Sequence, residues 1–185
     1  MPFSAEASKP WIGERLRELE QIDRVLDIGV GAGRYSKLFR ALCPDAEWIG
    51  VEIFSPYIER FGLTKLYDEI IEQDARSVDY TKLGNFDVAF CGDVLEHMTK
   101  DEAKTVIDMM VRYTGNIFIS VPLGECPQGE VYGNQHEAHV STYMSIDDLY
   151  DVFSGIVAHN ISSQEDWTIG TIWVSKDAYM KEQAI

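Results

Sequence analysis

Apolar positions fall along this chain in short runs whose period changes. From about Pro10 to Gln21, Trp11, Ile12, Leu16 and Leu19 can share one helical face, with Glu14, Arg15, Arg17, Glu18 and Glu20 around the rest. Arg24–Ile28 is a short, mostly apolar run of the kind a parallel strand covered on both faces shows. Arg34 to Leu42 reads as a helix that ends before Pro44, and Glu47–Ile53 as a second strand. Ser55-Pro56 supplies an N-cap with proline at the first helical position, opening a short helix towards Phe61. Leu66–Ile71 and Phe86–Cys91 read as the third and fourth strands. Thr99 and Glu102 form a capping box for a helix reaching about Tyr113. Asn116–Val121 is a fifth strand, stopped by Pro122. Leu123–Met144 has no clear period and is rich in Gly, Pro and polar residues. Ser145 caps a helix to about Phe153, with Asp147 and Asp148 in the first turn, where the helix dipole favours them. Ile156–Ser162 and Thr168–Ser175 follow as two strands with no helix between them.

Strands alternating with helices predict an α/β fold. The expected architecture is a Rossmann-like three-layer αβα sandwich with a seven-stranded, mostly parallel sheet. The last two strands, lacking a crossover helix, predict one antiparallel strand in the edge region. A chain of 185 residues is the size of one domain. Residues 1–22 form its N-terminal helical region and residues 123–144 the segment expected to act as a substrate lid.

Charge narrows the partners. Sixteen basic residues stand against 31 acidic ones, a net charge of −15. Such a surface repels phosphate backbones and anionic lipid, so nucleic acid and membrane are not expected partners. No apolar run is long enough for a membrane helix, and the N-terminus does not read as a signal peptide. Cys43, Cys91 and Cys126 are odd in number and lack CxxC spacing, which fits a reducing cytoplasm better than a disulfide framework. Cys91 reads as a small apolar filler, Tyr35 and Trp48 as packing residues, and Asp87 as structural.

The first strand runs into Val25-Leu26-Asp27-Ile28-Gly29-Val30-Gly31-Ala32-Gly33-Arg34. Glycine lets a backbone turn tightly and approach a ligand closely. In the dinucleotide fingerprint GxGxxG the third glycine would fall at position 34. Here Arg34 occupies it and the glycine comes one residue early, at Gly33. A nicotinamide-dependent oxidoreductase is thereby disfavoured, as it is by the lack of a TyrxxxLys pair: Tyr143 is followed four residues on by Asp147.

The Asp27–Gly33 stretch resembles motif I, E/DxGxGxG, of the class I S-adenosylmethionine-dependent methyltransferases. Glu52, at the end of the second strand, matches the family's ribose-binding acidic position, with Ile53 beside it. Asp74-Ala75 matches the pair that lies against adenine. Phe86 to His97, ending Gly92-Asp93-Val94-Leu95-Glu96-His97, is similar to the family's fourth-strand segment, as found in small-molecule members of the type 11/12-like branch. The resemblance implies that Asp27 helps hold the cofactor's ammonium group and that the backbone at Gly29, Gly31, Gly33, Gly92 and Asp93 lines the site. It implies S-adenosylmethionine as cofactor and a small-molecule methyl acceptor. Structural alternatives stand beside each role: a plain tight turn, a solvated strand end at Glu52, a turn-former at Asp74.

The Leu123–Met144 segment follows the fifth strand at the carboxyl end of the sheet, where open α/β sheets bind ligands. It carries Tyr132, Asn134, His136, His139 and Tyr143. A hydroxyl acceptor needs a base, and a neutral histidine suits that near pH 7. His139 ranks first as that base, then His136 and His97. His97 could equally pack beneath the following helix. His136 and His139 are spaced HxxH in a loop without an obvious third ligand, so no metal is expected there. The overall expectation is methyl transfer to a small polar acceptor, with a weak preference for oxygen on a sugar-like or other metabolite. The rival from another class is a methyltransferase-like domain that binds cofactor or a partner without catalysis.

Overall fold

The computed structural model describes residues 4–164 and 167–184. Its strands are β1 (Arg24–Ile28), β2 (Glu47–Glu52), β3 (Glu69–Glu72), β4 (Phe86–Gly92), β5 (Thr114–Leu123), β6 (Ile156–Gln164) and β7 (Trp167–Ser175). They form one sheet in the order β3-β2-β1-β4-β5-β7-β6. The first five run parallel. β7 runs antiparallel to both β5 and β6, so the reversed strand lies one place in from the edge. The helices are α1 (Lys9–Leu16), α2 (Arg34–Phe39), α3 (Pro56–Arg60), α4 (Tyr80–Leu83), α5 (Lys100–Met110), α6 (Ile146–Val152) and α7 (Lys176–Glu182).

Strand alternation divides the core. Leu26 and Ile28 face one side, packed with Ala103, Val106, Ile107 and Met110 of α5 and Leu149 of α6. Val25 faces the other, with Ile12 and Leu16 of α1, and Tyr35 and Phe39 of α2. On that second face Trp48, Phe90, Phe118 and Trp173 stack in a row across the sheet, with centroids 5.9, 6.0 and 5.7 Å apart. Tyr35 stacks on Phe90 from above at 4.5 Å. Both faces of the central strands are therefore buried, as the apolar runs imply.

Several boundaries differ from the sequence reading for local reasons. α1 ends at Leu16, because Arg17, Glu18 and Leu19 each bond back only three residues, a tightened end. β3 starts at Glu69: Leu63–Lys65 forms a 3-10 turn that consumes the chain before it. Ser55 occupies the N-cap position of α3, but at φ −51°, ψ −32° its hydroxyl makes no capping bond. The Thr99–Glu102 capping box is complete. β5 runs through Pro122 instead of stopping there. Ser120 O accepts from Asp93 N–H, so the backbone of residue 120, and of residue 122 two further on, faces β4. β4 has ended at Gly92, so no ladder bond is lost at the proline. α7 has no counterpart in the sequence reading.

Candidate active site

A cavity opens at the carboxyl ends of β1, β2 and β4. Of the residues singled out from sequence, Gly29, Gly31, Glu52, Ile53, Asp74, Ala75, Gly92, Asp93, His97 and His136 line it. Asp27, Gly33 and His139 do not line it.

The glycine turn is a conformational necessity. Gly29, Gly31 and Gly33 all have positive φ, at 65°, 48° and 70°. A Cβ on Gly29 would sit 2.5 Å from Val94 Cγ2, and one on Gly33 would sit 2.6 Å from Leu66 Cδ1. Gly29 thus shapes the wall, whereas Gly33 seats α2 against the chain before β3. Beside the turn, Glu52 is almost fully buried. Its Oε2 accepts from Gly31 N–H and its Oε1 from Phe54 N–H, each at 2.9 Å. Each oxygen keeps a further lone pair, so the carboxylate is fixed and can still accept two hydroxyls. Burial raises its pKa against these two backbone donors.

Asp27 is corrected by the structure. It pairs in register with Phe90 and therefore points to the aromatic face, not towards the cavity. There Tyr67 Oη donates to Asp27 Oδ2 at 2.5 Å. Burial, against that hydrogen bond and the nearby Lys9, pushes its pKa up to about 7. The carboxylate that does stand on the wall near the turn is Asp93, held at φ 56° and accepting from Ala5 N–H at 2.8 Å. Asp74 lines the cavity, but its carboxylate is tied to Arg76, whose other side reaches Glu102 at 3.0 Å. The Arg76 hydrogen bonds hold the Asp74 carboxyl below the usual range. Asp87, read as structural, accepts from the N–H groups of Asp23 and Arg24.

The other end of the cavity is roofed by the chain between β5 and α6. It has one 3-10 turn, Gln135–Glu137, capped by Asn134 Oδ1 accepting from His136 N–H at 3.0 Å. Tyr57 of α3, fully buried, donates to Glu137 Oε1 at 3.0 Å and fastens the turn over the cavity. The Arg60 guanidinium lies over the Tyr132 ring at 4.1 Å. His97 and His136 both line the cavity. The first-ranked base, His139, stands behind His97, their rings 4.9 Å apart at 63°. The cause is local: His139 Nδ1–H donates to Cys126 O at 2.5 Å, which turns the ring inward. Burial lowers the pKa of both His97 and His139, so both rings are neutral at pH 7.

Sequence reasoning missed Tyr57, Tyr67, Glu96, Arg76 and Glu137. Arg76 had a signal in its spacing from Asp74. Tyr57 and Glu137 lie 80 residues apart, and no local pattern joins them.

Residues 25–115 match the family model described as a methyltransferase domain. The fold agrees with solved structures. The N-terminal domain of EvdMO1 with SAH bound aligns at TM-score 0.63 and 15% identity, over 93% of this chain and 82% of that one. Magnesium protoporphyrin IX methyltransferase from Synechocystis PCC 6803 with bound SAM aligns at 0.61 and 18%, over 89% and 76%. Burkholderia thailandensis 1,6-didemethyltoxoflavin-N1-methyltransferase, with its substrate and S-adenosylhomocysteine bound, aligns at 0.60 and 20%, over 92% and 79%. A comparison with curated proteins gave no match. Sheet order, glycine turn and Glu52 define the class I methyltransferase fold. The chain has that fold, and residues 25–115 of it are similar to a methyltransferase domain.

Proposed function

We propose that this protein transfers the methyl group of S-adenosylmethionine to a hydroxyl of a small polar acceptor. The cofactor is S-adenosylmethionine. The observation that carries this reading is the charge of the cavity. Glu52, Asp74, Asp93 and Glu137 line it, against Arg34 and Arg76. Both arginines are engaged, Arg34 with Glu6 and Arg76 with Asp74 and Glu102. A sulfonium cation with an ammonium group suits such walls, whereas a pyrophosphate does not. Glu52 takes the ribose hydroxyls. The Gly29–Gly31 backbone and Asp93 take the amino-acid end, and Ala75 lies against the adenine.

The whole chain acts as one domain, with residues 123–144 as the lid over the acceptor. When bound, the cofactor supplies a methyl group already activated by its positive sulfur, so the protein chiefly aligns and desolvates. The oxygen lone pair forms the new C–O bond, and the S–CH3 pair stays on sulfur. The acceptor proton goes to an imidazole of the acceptor end. His97 and His136 face the cavity, and His139 acts through His97 as a positioning residue. Calorimetry tests the core of this reading. S-adenosylhomocysteine is expected to bind and NADH to give no heat. Binding of NADH without binding of S-adenosylhomocysteine overturns the assignment. Turnover of methyl-labelled cofactor on a panel of hydroxylated metabolites then tests the acceptor class. Methylation of amines alone in such a panel overturns the oxygen preference.

A further inference from the structure

Behind the cavity wall, beside the imidazoles of His97 and His139, lies a buried carboxylate that methyl transfer as described leaves unused, that of Glu96. Glu96, His97 and His139 each offer a ligand atom within 4.8 Å of the other two. Glu96 and His97 sit in the 3-10 turn Leu95–His97 that follows β4. The lid returns His139 to them through main-chain bonds: Val140 and Ser141 N–H both donate to Glu96 O, at 2.8 and 3.0 Å. The two imidazoles are set alike. His97 Nδ1–H donates to Ala138 O at 3.2 Å, and His139 Nδ1–H donates to Cys126 O at 2.5 Å. A carbonyl can only accept, so each ring carries its proton on Nδ1 and leaves the Nε2 lone pair for another partner. Metal-ligating histidines are oriented in this way by backbone carbonyls. Glu96 is only 2% exposed, and its Oε2 has no hydrogen-bond partner. A buried carboxylate oxygen without a partner is destabilising, and neither neutral imidazole has a second proton to give it. A cation supplies what is missing.

We infer that Glu96, His97 and His139 bind a divalent first-row transition-metal ion. Two imidazole nitrogens and one carboxylate oxygen suit zinc, cobalt(II), iron(II) or manganese(II), and three protein ligands leave room for an exchangeable one. Because His97 also lines the cavity, the ion stands at the acceptor end. A hydroxyl of the acceptor bound to such an ion ionises near neutral pH. Its proton passes to His136, an exposed residue that lines the same cavity, and the oxygen attacks the methyl carbon as the S–C bond breaks. This catalytic role rests on the methyltransferase reading, whereas metal binding does not.

The test is titration of chelator-treated protein with Co2+ alone, read by visible absorption and by thermal stability. One Co2+ per chain is expected, with ligand-field bands and a rise in melting temperature. Glu96→Gln keeps the shape of the side chain and removes the charge; His139→Ala removes one nitrogen. Each is expected to weaken Co2+ binding by on the order of 100-fold, since even outer partners of a metal site cost 10–100-fold. His159→Ala, a histidine on β6 bonded to Tyr150, is expected to leave the titration unchanged. No bands in the native protein, or equal bands in Glu96→Gln, overturns the metal site. Binding of S-adenosylhomocysteine is measured on the same samples. Its failure overturns the methyltransferase reading and leaves the metal result standing.

Discussion

The two ends of the cavity are built differently. The end proposed for the cofactor is made from strand ends: the Gly29–Gly33 turn after β1, Glu52 as the last residue of β2, Asp74-Ala75 after β3, Asp93 after β4. Each group is placed by the strand it terminates, so short sequence motifs describe it. The acceptor end is assembled from distant chain segments, with His97 and Ala138 joined 41 residues apart and Tyr57 and Glu137 joined 80 apart. The lesson is that the end proposed for the cofactor is placed by local sequence, whereas the end proposed for the acceptor is placed by contacts between distant segments.

The largest expected effect separates the two ends outright. His97→Ala is expected to lower turnover by about 10²–10⁴-fold, the range for loss of a group that activates the acceptor hydroxyl. Affinity for S-adenosylhomocysteine is expected to stay within a few-fold. Stopped-flow turnover and calorimetry on the same protein check both halves. Equal losses in rate and cofactor affinity would merge the two ends into one.

The second effect sharpens the cofactor end. Asp27 was legible as the acidic residue of the motif, but its direction was not. Motif spacing says which residue ends the strand, while the register with Phe90 says which face it takes. A pKa raised to about 7 means that Asp27 favours folding fully only below its unfolded value near 3.8. That contribution is lost as pH rises towards 7. Asp27→Asn removes the titration and keeps an acceptor for Tyr67. The variant and the native protein are therefore expected to melt alike near pH 4. The variant should gain steadily between pH 4 and 7, by up to a few kcal/mol, and hold that gain above. Melting curves across that range check it, and cofactor affinity is expected to change little. A large loss of affinity would return Asp27 to the ammonium group.

Glu52→Ala comes next. Loss of charge-assisted bonds to the ribose is expected to cost about 1.5–3 kcal/mol of cofactor affinity, roughly 10–150-fold by calorimetry. Part of that loss reflects the turn itself, because Gly31 and Phe54 N–H lose their acceptor. Glu52→Gln, which keeps one acceptor oxygen, should recover part of it. Unchanged affinity in Glu52→Ala would move ribose recognition elsewhere.

Legibility tracks how local the cause is. The sheet was readable because alternation and caps act over a few residues: Thr99 with Glu102, and Ser145, whose hydroxyl accepts from Asp147 N–H. β5 was cut short on paper because a proline looks like a stop when the neighbouring strand's end is unknown. His139 was ranked first by composition and position, yet one hydrogen bond to Cys126 O turns it behind His97. No spacing rule contains that bond.

The smallest effect tests whether the acceptor end is a lid at all. Tyr57 Oη donates to Glu137 Oε1 inside the core, and burial, with the neighbouring carboxylates, pushes the phenol up to about 12. The tyrosine therefore stays protonated at every working pH and remains the donor of this bond. Tyr57→Phe removes only the hydroxyl and leaves the ring against Phe54 and Phe61, with which it packs at 4.9 and 5.3 Å. The loss is one neutral-to-carboxylate hydrogen bond, about 1.5–3 kcal/mol in a closed lid. An open lid returns Glu137 to water, so only part of this appears in the closing equilibrium. The apparent KM for the acceptor is expected to rise about three- to tenfold, the kinetic face of a fraction to 1.4 kcal/mol. The maximal rate should be nearly unchanged, since saturating acceptor closes the lid again. Hydrogen exchange in residues 123–144 should quicken while exchange in β1 and β4 does not. If exchange quickens in both regions together, the 123–144 segment is part of the core and the two ends of the cavity move as one.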